Sequence, residues 1–159
     1  MSSSPTFRFA TQLDLEQMIR LRILTQTENL PPLSPAQETL YANELRDYFT
    51  QVLPTPDFLA AVAEEPGGRL VSVNGLVIYR KPPSLGGARG LTGYVGNVYT
   101  VTDRRGQGLA SALIRLLIER ARELGVEKLH LGATESGKGV YERVGFGPTR
   151  YHAMELRLS

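Results

Sequence analysis

The sequence contains no cysteine among its 159 residues and only two histidines, His130 and His152. Disulfides, thiolate metal sites and a cysteine nucleophile are thereby excluded, and no metal site is expected. No run of about 18 apolar residues occurs, so no membrane partner is expected. The Ser-rich start, Met1 to Pro5, lacks the regions of a signal peptide and reads as a flexible N-terminus, so a cytoplasmic location is the default expectation. Charge of one sign is also scarce: 18 Lys and Arg face 16 Asp and Glu, for a net charge of +2. Without a cationic run, no nucleic-acid partner is expected, and a compact anionic ligand suits the small excess better. What is present is ordinary globular material, 42% hydrophobic and 21% charged, enough for a single packed domain over residues 1–159.

Local signals divide the chain into strands and helices. Thr6 to Ala10 reads as a strand. Thr11 with Asp14 resembles a capping box opening a helix to about Thr27, with Leu13, Met18 or Ile19, and Ile23 as its apolar stripe. Ser34-Pro35-Ala36-Gln37 opens a second helix to about Gln51. Phe58 to Glu64 and Arg69 to Arg80 form a hairpin around Glu65-Pro66-Gly67-Gly68, and Asn74-Gly75 is read as a bulge within the longer strand rather than a turn. The Pro- and Gly-rich stretch Lys81 to Gly90 reads as a mobile loop before the strand Leu91 to Val101. Leu109, Leu113, Leu117 and Leu124 share one face of a helix from about Gly106 to Leu124, with Gly125 placed to end it. Lys128 to Ala133 reads as a strand, Ser136 to Val144 as a short helix, and Ala153 to Leu158 as a closing strand.

The chemistry concentrates where the strand ending at Val101 turns into the clearest helix. Thr102-Asp103-Arg104-Arg105-Gly106-Gln107-Gly108-Leu109-Ala110 puts two glycines where the backbone must turn and leaves nothing bulky over its amides. The first amides of a helix have no internal partners and carry the positive end of the macrodipole, so a pyrophosphate can bind there without a lysine. Arg104 and Arg105 are expected to add bidentate contacts.

Arg105-Gly106-Gln107-Gly108-Leu109-Ala110 resembles the Arg/Gln-x-x-Gly-x-Gly/Ala signature of the GCN5-related N-acetyltransferase family. Tyr141-Glu142-Arg143-Val144-Gly145-Phe146 is similar to that family's Tyr-x-x-x-Gly-Phe closing motif, and the element order agrees over nearly the whole chain. The resemblance implies an α/β fold with a mixed, mostly antiparallel sheet of six or seven strands flanked by helices, splayed between the fourth and fifth strands. It implies acetyl-CoA as co-substrate, bound by Val98, Tyr99 and Thr100 on the fourth strand, by Arg105, Gly106, Gln107, Gly108, Leu109, Ala110 and Ser111 at the helix start, and by Thr134. It implies transfer of acetyl to a primary amine by direct attack in a ternary complex, with Tyr141 as general acid for the leaving thiolate. A phenol, with a pKa of roughly 10, is protonated at neutral pH. The chain departs from the family's common residues at Thr102, Thr134 and Gly137, where Pro, Asn and Ala are frequent.

No residue type marks a unique base. Glu28, Asn97 through a water, Glu135 and His152 are candidates, and Glu28, Asn97 and His152 are also candidate acceptor contacts. The acceptor, a small molecule or a peptide amine, stays open, as does a homodimer. A rival motif, Gly132 to Gly139, reproduces the Gly-x-x-x-x-Gly-Lys phosphate loop, but Gly139 stands where a magnesium-binding Ser or Thr belongs and about 20 residues follow, too few for the units such a domain needs. Gly106 to Ser111 matches the dinucleotide fingerprint only in part. A non-catalytic sensor of coenzyme A esters or an interaction domain is the remaining alternative, and neither has need of an acid at Tyr141.

Overall fold

The computed structural model describes residues 4–85 and 89–159. Five strands and four helices run in the order β1 (Thr6–Phe9), α1 (Leu15–Thr27), α2 (Pro35–Val52), β2 (Phe58–Glu64), β3 (Leu70–Arg80), β4 (Leu91–Thr100), α3 (Leu109–Glu123), β5 (Lys128–His130) and α4 (Lys138–Arg143). The sheet keeps chain order, with β1 to β4 antiparallel and β5 parallel to β4. The expected mixed sheet is present, but with five strands among the described residues rather than six or seven.

Both faces of the sheet are covered, which is why β3 is a near-continuous buried run instead of an alternating one. Asn74 points toward α3, where its Nδ2 donates to the Ala110 carbonyl at 3.1 Å. Its neighbour Gly75 and Val77 face the opposite way, toward side chains of α1 and α2. The core is built on the α3 side from Leu109, Leu113, Ile114 and Leu117, spaced at three and four residues so that one stripe meets the sheet. α3 ends as expected: Gly125 takes φ +80°, its amide donates to Arg122 and that of Val126 to Ala121, a Schellman closure of the last carbonyls. Both capping boxes are formed as well, Thr11 with Asp14 and Ser34 with Gln37.

Four local expectations are corrected. The stripe of α1 does not include Leu13, which lies on a 3-10 turn, Gln12–Asp14, and is 96% exposed. The capping box closes that turn first, and the helix proper starts at Leu15, so burial falls on Met18, Ile19 and Leu21. β3 does run unbroken through Asn74-Gly75, but the extra residue at that level is on β4: Val73 faces Tyr99 and Gly75 faces Gly96, so two steps on β3 span three on β4. The strand expected over Lys128 to Ala133 stops at His130. Ala153 to Leu158 forms no strand, and Met154, Leu156 and Leu158 are exposed. Alternation makes a strand only where a backbone edge is offered, and β5 presents three residues. Residues 1–3 of the expected flexible N-terminus and 86–88 of the Pro- and Gly-rich loop lie outside the described residues.

One ion cluster ties the first strand to the first helix. Arg8 holds both oxygens of buried Asp14 at 2.8 Å and reaches Glu64 with Nε at 2.5 Å. The guanidinium keeps the Asp14 carboxyl below its usual range against the opposing effect of burial. Arg8→Leu is therefore expected to cost about 2 kcal/mol at pH 7, less than a fully buried pair because Arg8 keeps contact with water. A depressed carboxyl stabilises the fold above its unfolded value of about 3.9 and loses that contribution as the pH falls through its native value. Urea melts should therefore show the gap between wild type and variant closing below about pH 4.

Candidate active site

β4 and β5 pair at three positions only, Thr92 with Lys128, Gly93 with Leu129 and Tyr94 with His130. β4 then runs on to Thr100 with that edge unpartnered among the described residues, and the two strands part. The opening is a groove of ≈ 740 Å³, large enough for an extended cofactor, whose floor is the free edge of β4 and whose far end is the glycine turn before α3.

That turn needs its glycines. Gly106 and Gly108 sit at φ +74° and +75°, a left-handed conformation that other L residues rarely adopt, and a Cβ added at either would meet nothing within 4 Å. Their open side is the groove. Among the described residues the amides of Gly106 to Ser111 find no backbone acceptor, and α3 has no side-chain N-cap. Unsatisfied donors at the positive end of a 15-residue helix therefore converge on one wall of the groove. The two arginines beside them are engaged elsewhere. Arg104 pairs with Glu65 at 2.5 Å, while Arg105 donates to the Thr100 carbonyl at 2.9 Å, pairs with Glu28 and lies over the Tyr99 ring. At the turn itself, main-chain amides rather than these two guanidinium groups are left to meet an anion.

The opposite wall comes from the start of α4. Thr134 closes the turn that leads into it: the Gly137 amide donates to Thr134 Oγ1 at 3.1 Å, and the Lys138 amide to the Thr134 carbonyl at 2.9 Å. Two of the amides that would cradle a triphosphate in the Gly132 to Gly139 motif, those of Gly137 and Lys138, are thus spent within the protein, and Lys138 pairs with Glu142 on the surface. Tyr141 is half-buried, its ring edge-to-face with Phe146 at 6.0 Å. Burial, with a smaller contribution from Tyr94, raises its hydroxyl above the ordinary phenol value.

Of the residues expected at the site, Val98, Tyr99, Thr100, Arg105, Gly106, Gly108, Ala110, Ser111, Thr134 and Tyr141 line this one groove, together with Glu28 and Asn97. Gln107, Leu109, Glu135 and His152 do not; Leu109 is turned into the core. The sequence reading missed Tyr94, the last residue of the β4–β5 ladder, which lines the groove with its ring 5.2 Å from His130. His130 in turn bonds the Tyr79 hydroxyl at 2.8 Å, and burial with nearby Lys81 and Lys128 favours its neutral form. Nothing in the spacing of these residues marks them as neighbours. Among the described residues no group of His, Asp and Glu could hold a metal ion, and no helix is long and apolar enough to cross a membrane.

Comparison with known proteins agrees with this geometry. Residues 19–146 match the model of the acetyltransferase (GNAT) family. A rice protein, glucosamine 6-phosphate N-acetyltransferase 1, is 33% identical over 91 residues, 57% of this chain and about half, 53%, of that protein's length. A predicted acetyltransferase from Clostridium acetobutylicum, crystallised with acetyl-CoA, superposes with a TM-score of 0.83 at 26% identity, covering 97% of this chain and 96% of that one. A GCN5-related N-acetyltransferase from Ralstonia eutropha gives 0.77 at 25% identity, covering 96% and 98%. On the extent of the family match, this chain belongs to the acetyltransferase (GNAT) family.

Proposed function

We propose that this protein transfers an acetyl group from acetyl-CoA to a primary amine by direct attack within a ternary complex. The observation that carries the reading is the row of amides from Gly106 to Ser111, without backbone acceptors among the described residues and open to the groove. These amides would hold the pyrophosphate, the free edge of β4 from Val98 to Thr100 the pantetheine arm, and the wall at Thr134 its outer side. Acetyl-CoA supplies an activated thioester. The chain's own part is to position it, to present main-chain donors from β4 toward the carbonyl, and to keep a proton on Tyr141 for the departing sulfur. Arg105, fastened to Glu28, Thr100 and Tyr99, braces the turn rather than binding the anion.

A thermal-shift titration with acetyl-CoA, coenzyme A, ATP and NAD tests this, because a ligand that favours the native state raises the midpoint. At a hundred times the dissociation constant, acetyl-CoA and coenzyme A should each raise the midpoint by about 5 °C or more, and ATP and NAD should not. Thiol release across a panel of amines then separates transfer from mere binding. A midpoint unmoved by acetyl-CoA overturns the reading.

A further inference from the structure

A second cavity, of ≈ 330 Å³, opens between α1, α2 and the sheet, and it meets the groove at Tyr94, Gly96 and Asn97, which line both. Its walls are aromatic. Tyr48 lies edge-to-face with Phe49 at 5.3 Å and with Phe58 at 6.1 Å, and Tyr41 and Val77 complete the apolar surface. Its floor is kept open by glycine: a Cβ on Gly75 would come within 3.0 Å of the Gly96 carbonyl and 3.7 Å of the Phe58 ring.

Two polar groups face this apolar space. Arg22, half-buried on α1, lines the cavity and has no carboxylate partner among the described residues. Asn97, at the junction with the groove, holds a left-handed backbone at φ +53°, and both its Oδ1 and Nδ2 are buried without a partner. Buried amide atoms are nearly always hydrogen-bonded, so an unmatched pair at the mouth of a cavity marks a place where a ligand supplies the partners.

Resting on the acetyl-transfer reading, we propose that the acceptor is an apolar amino acid, a primary amine carrying an aryl or branched aliphatic group and a free carboxylate. The apolar group fills the aromatic cavity, the carboxylate meets the Arg22 fork, and Asn97 Oδ1 accepts from the amine, holding it toward the groove. The lining argues against other amines. Among the described residues no acidic side chain lines this cavity, so a polyamine finds no counter-charge, and a sugar phosphate finds one cation among aromatic rings instead of a set of hydroxyl partners. The volume is near the lower end of ligand sites, room for one side group rather than a chain of them.

Calorimetry on the full chain, with and without saturating coenzyme A, would compare L-phenylalanine, L-leucine, phenethylamine, glucosamine 6-phosphate and spermidine. The two amino acids should bind tightest. Arg22→Gln should weaken L-phenylalanine about tenfold, the value of one charge-assisted contact, with no matching loss for phenethylamine, which has no carboxylate. Tyr48→Ala, at a partly exposed ring, should weaken both. Tighter binding of glucosamine 6-phosphate or spermidine, binding of none of the five, or an equal effect of Arg22→Gln on L-phenylalanine and phenethylamine would overturn the assignment. Failure of acetyl-CoA to bind would instead strike the transfer reading, while the amino-acid titrations without coenzyme A still decide the occupant of the cavity.

Discussion

Gly108→Glu is expected to remove acetyl-CoA binding from the isolated protein, a loss of about a hundredfold or more in calorimetry. Two effects combine. At φ +75° any side chain carries a backbone strain of about 1–2 kcal/mol, which tilts the turn away from the conformation that exposes its amides. The added carboxylate then sits where the helix dipole favours an anion, so it both satisfies the amides itself and repels the phosphates that would replace it. Because a Cβ at this position meets nothing within 4 Å, the fold should survive, with the melting midpoint of the unliganded variant within a few degrees of wild type. Gly108→Ala separates the causes: strain without charge should weaken acetyl-CoA by about tenfold. Unchanged affinity in the glutamate variant would reject the amides as the anion site.

What the sequence disclosed and what it concealed divide by range. Gly106, Gly108 and Gly125 were legible because the turn or helix end that needs a positive φ is written in adjacent residues. The capping boxes at Thr11 and Ser34 were legible for the same reason, since donor and acceptor lie three residues apart. The fate of Leu13 was not, because the box that predicts a helix start also closes a 3-10 turn. Arg105 shows the same limit at the site: its motif suggested a phosphate contact, yet its guanidinium pairs with Glu28, 77 positions away, and no local pattern reveals that competitor. The bulge was placed at the right level but on the wrong strand, since Asn74-Gly75 looks like a break while the extra residue belongs to its partner at Asn97. The aromatic cavity was invisible for the plainest reason. Tyr41 and Tyr48 share a face of α2, but nothing in the spacing links them to Phe58 on β2, Gly75 on β3 or Tyr94 on β4, and only the tertiary fold brings them together.

Tyr141→Phe is expected to lower turnover by about a hundredfold, near the lower end of what a positioned acid contributes, while acetyl-CoA affinity stays within about twofold. The ring is held by its edge-to-face contact with Phe146 and by half-burial, so phenylalanine keeps the packing and deletes one oxygen. The pH dependence gives the stronger test. Burial raises the hydroxyl above the ordinary value of about 10, so the acid is fully protonated at neutral pH and remains so through pH 9. If it supplies the proton in the rate-limiting step, wild-type turnover should hold across that range and fall only above pH 10, as the phenol ionises. The phenylalanine variant should lose that alkaline fall along with most of its rate. Stopped-flow thiol release under saturating acetyl-CoA and amine, from pH 7 to pH 11, measures both; a variant with unaltered turnover would show that the sulfur leaves without help from Tyr141.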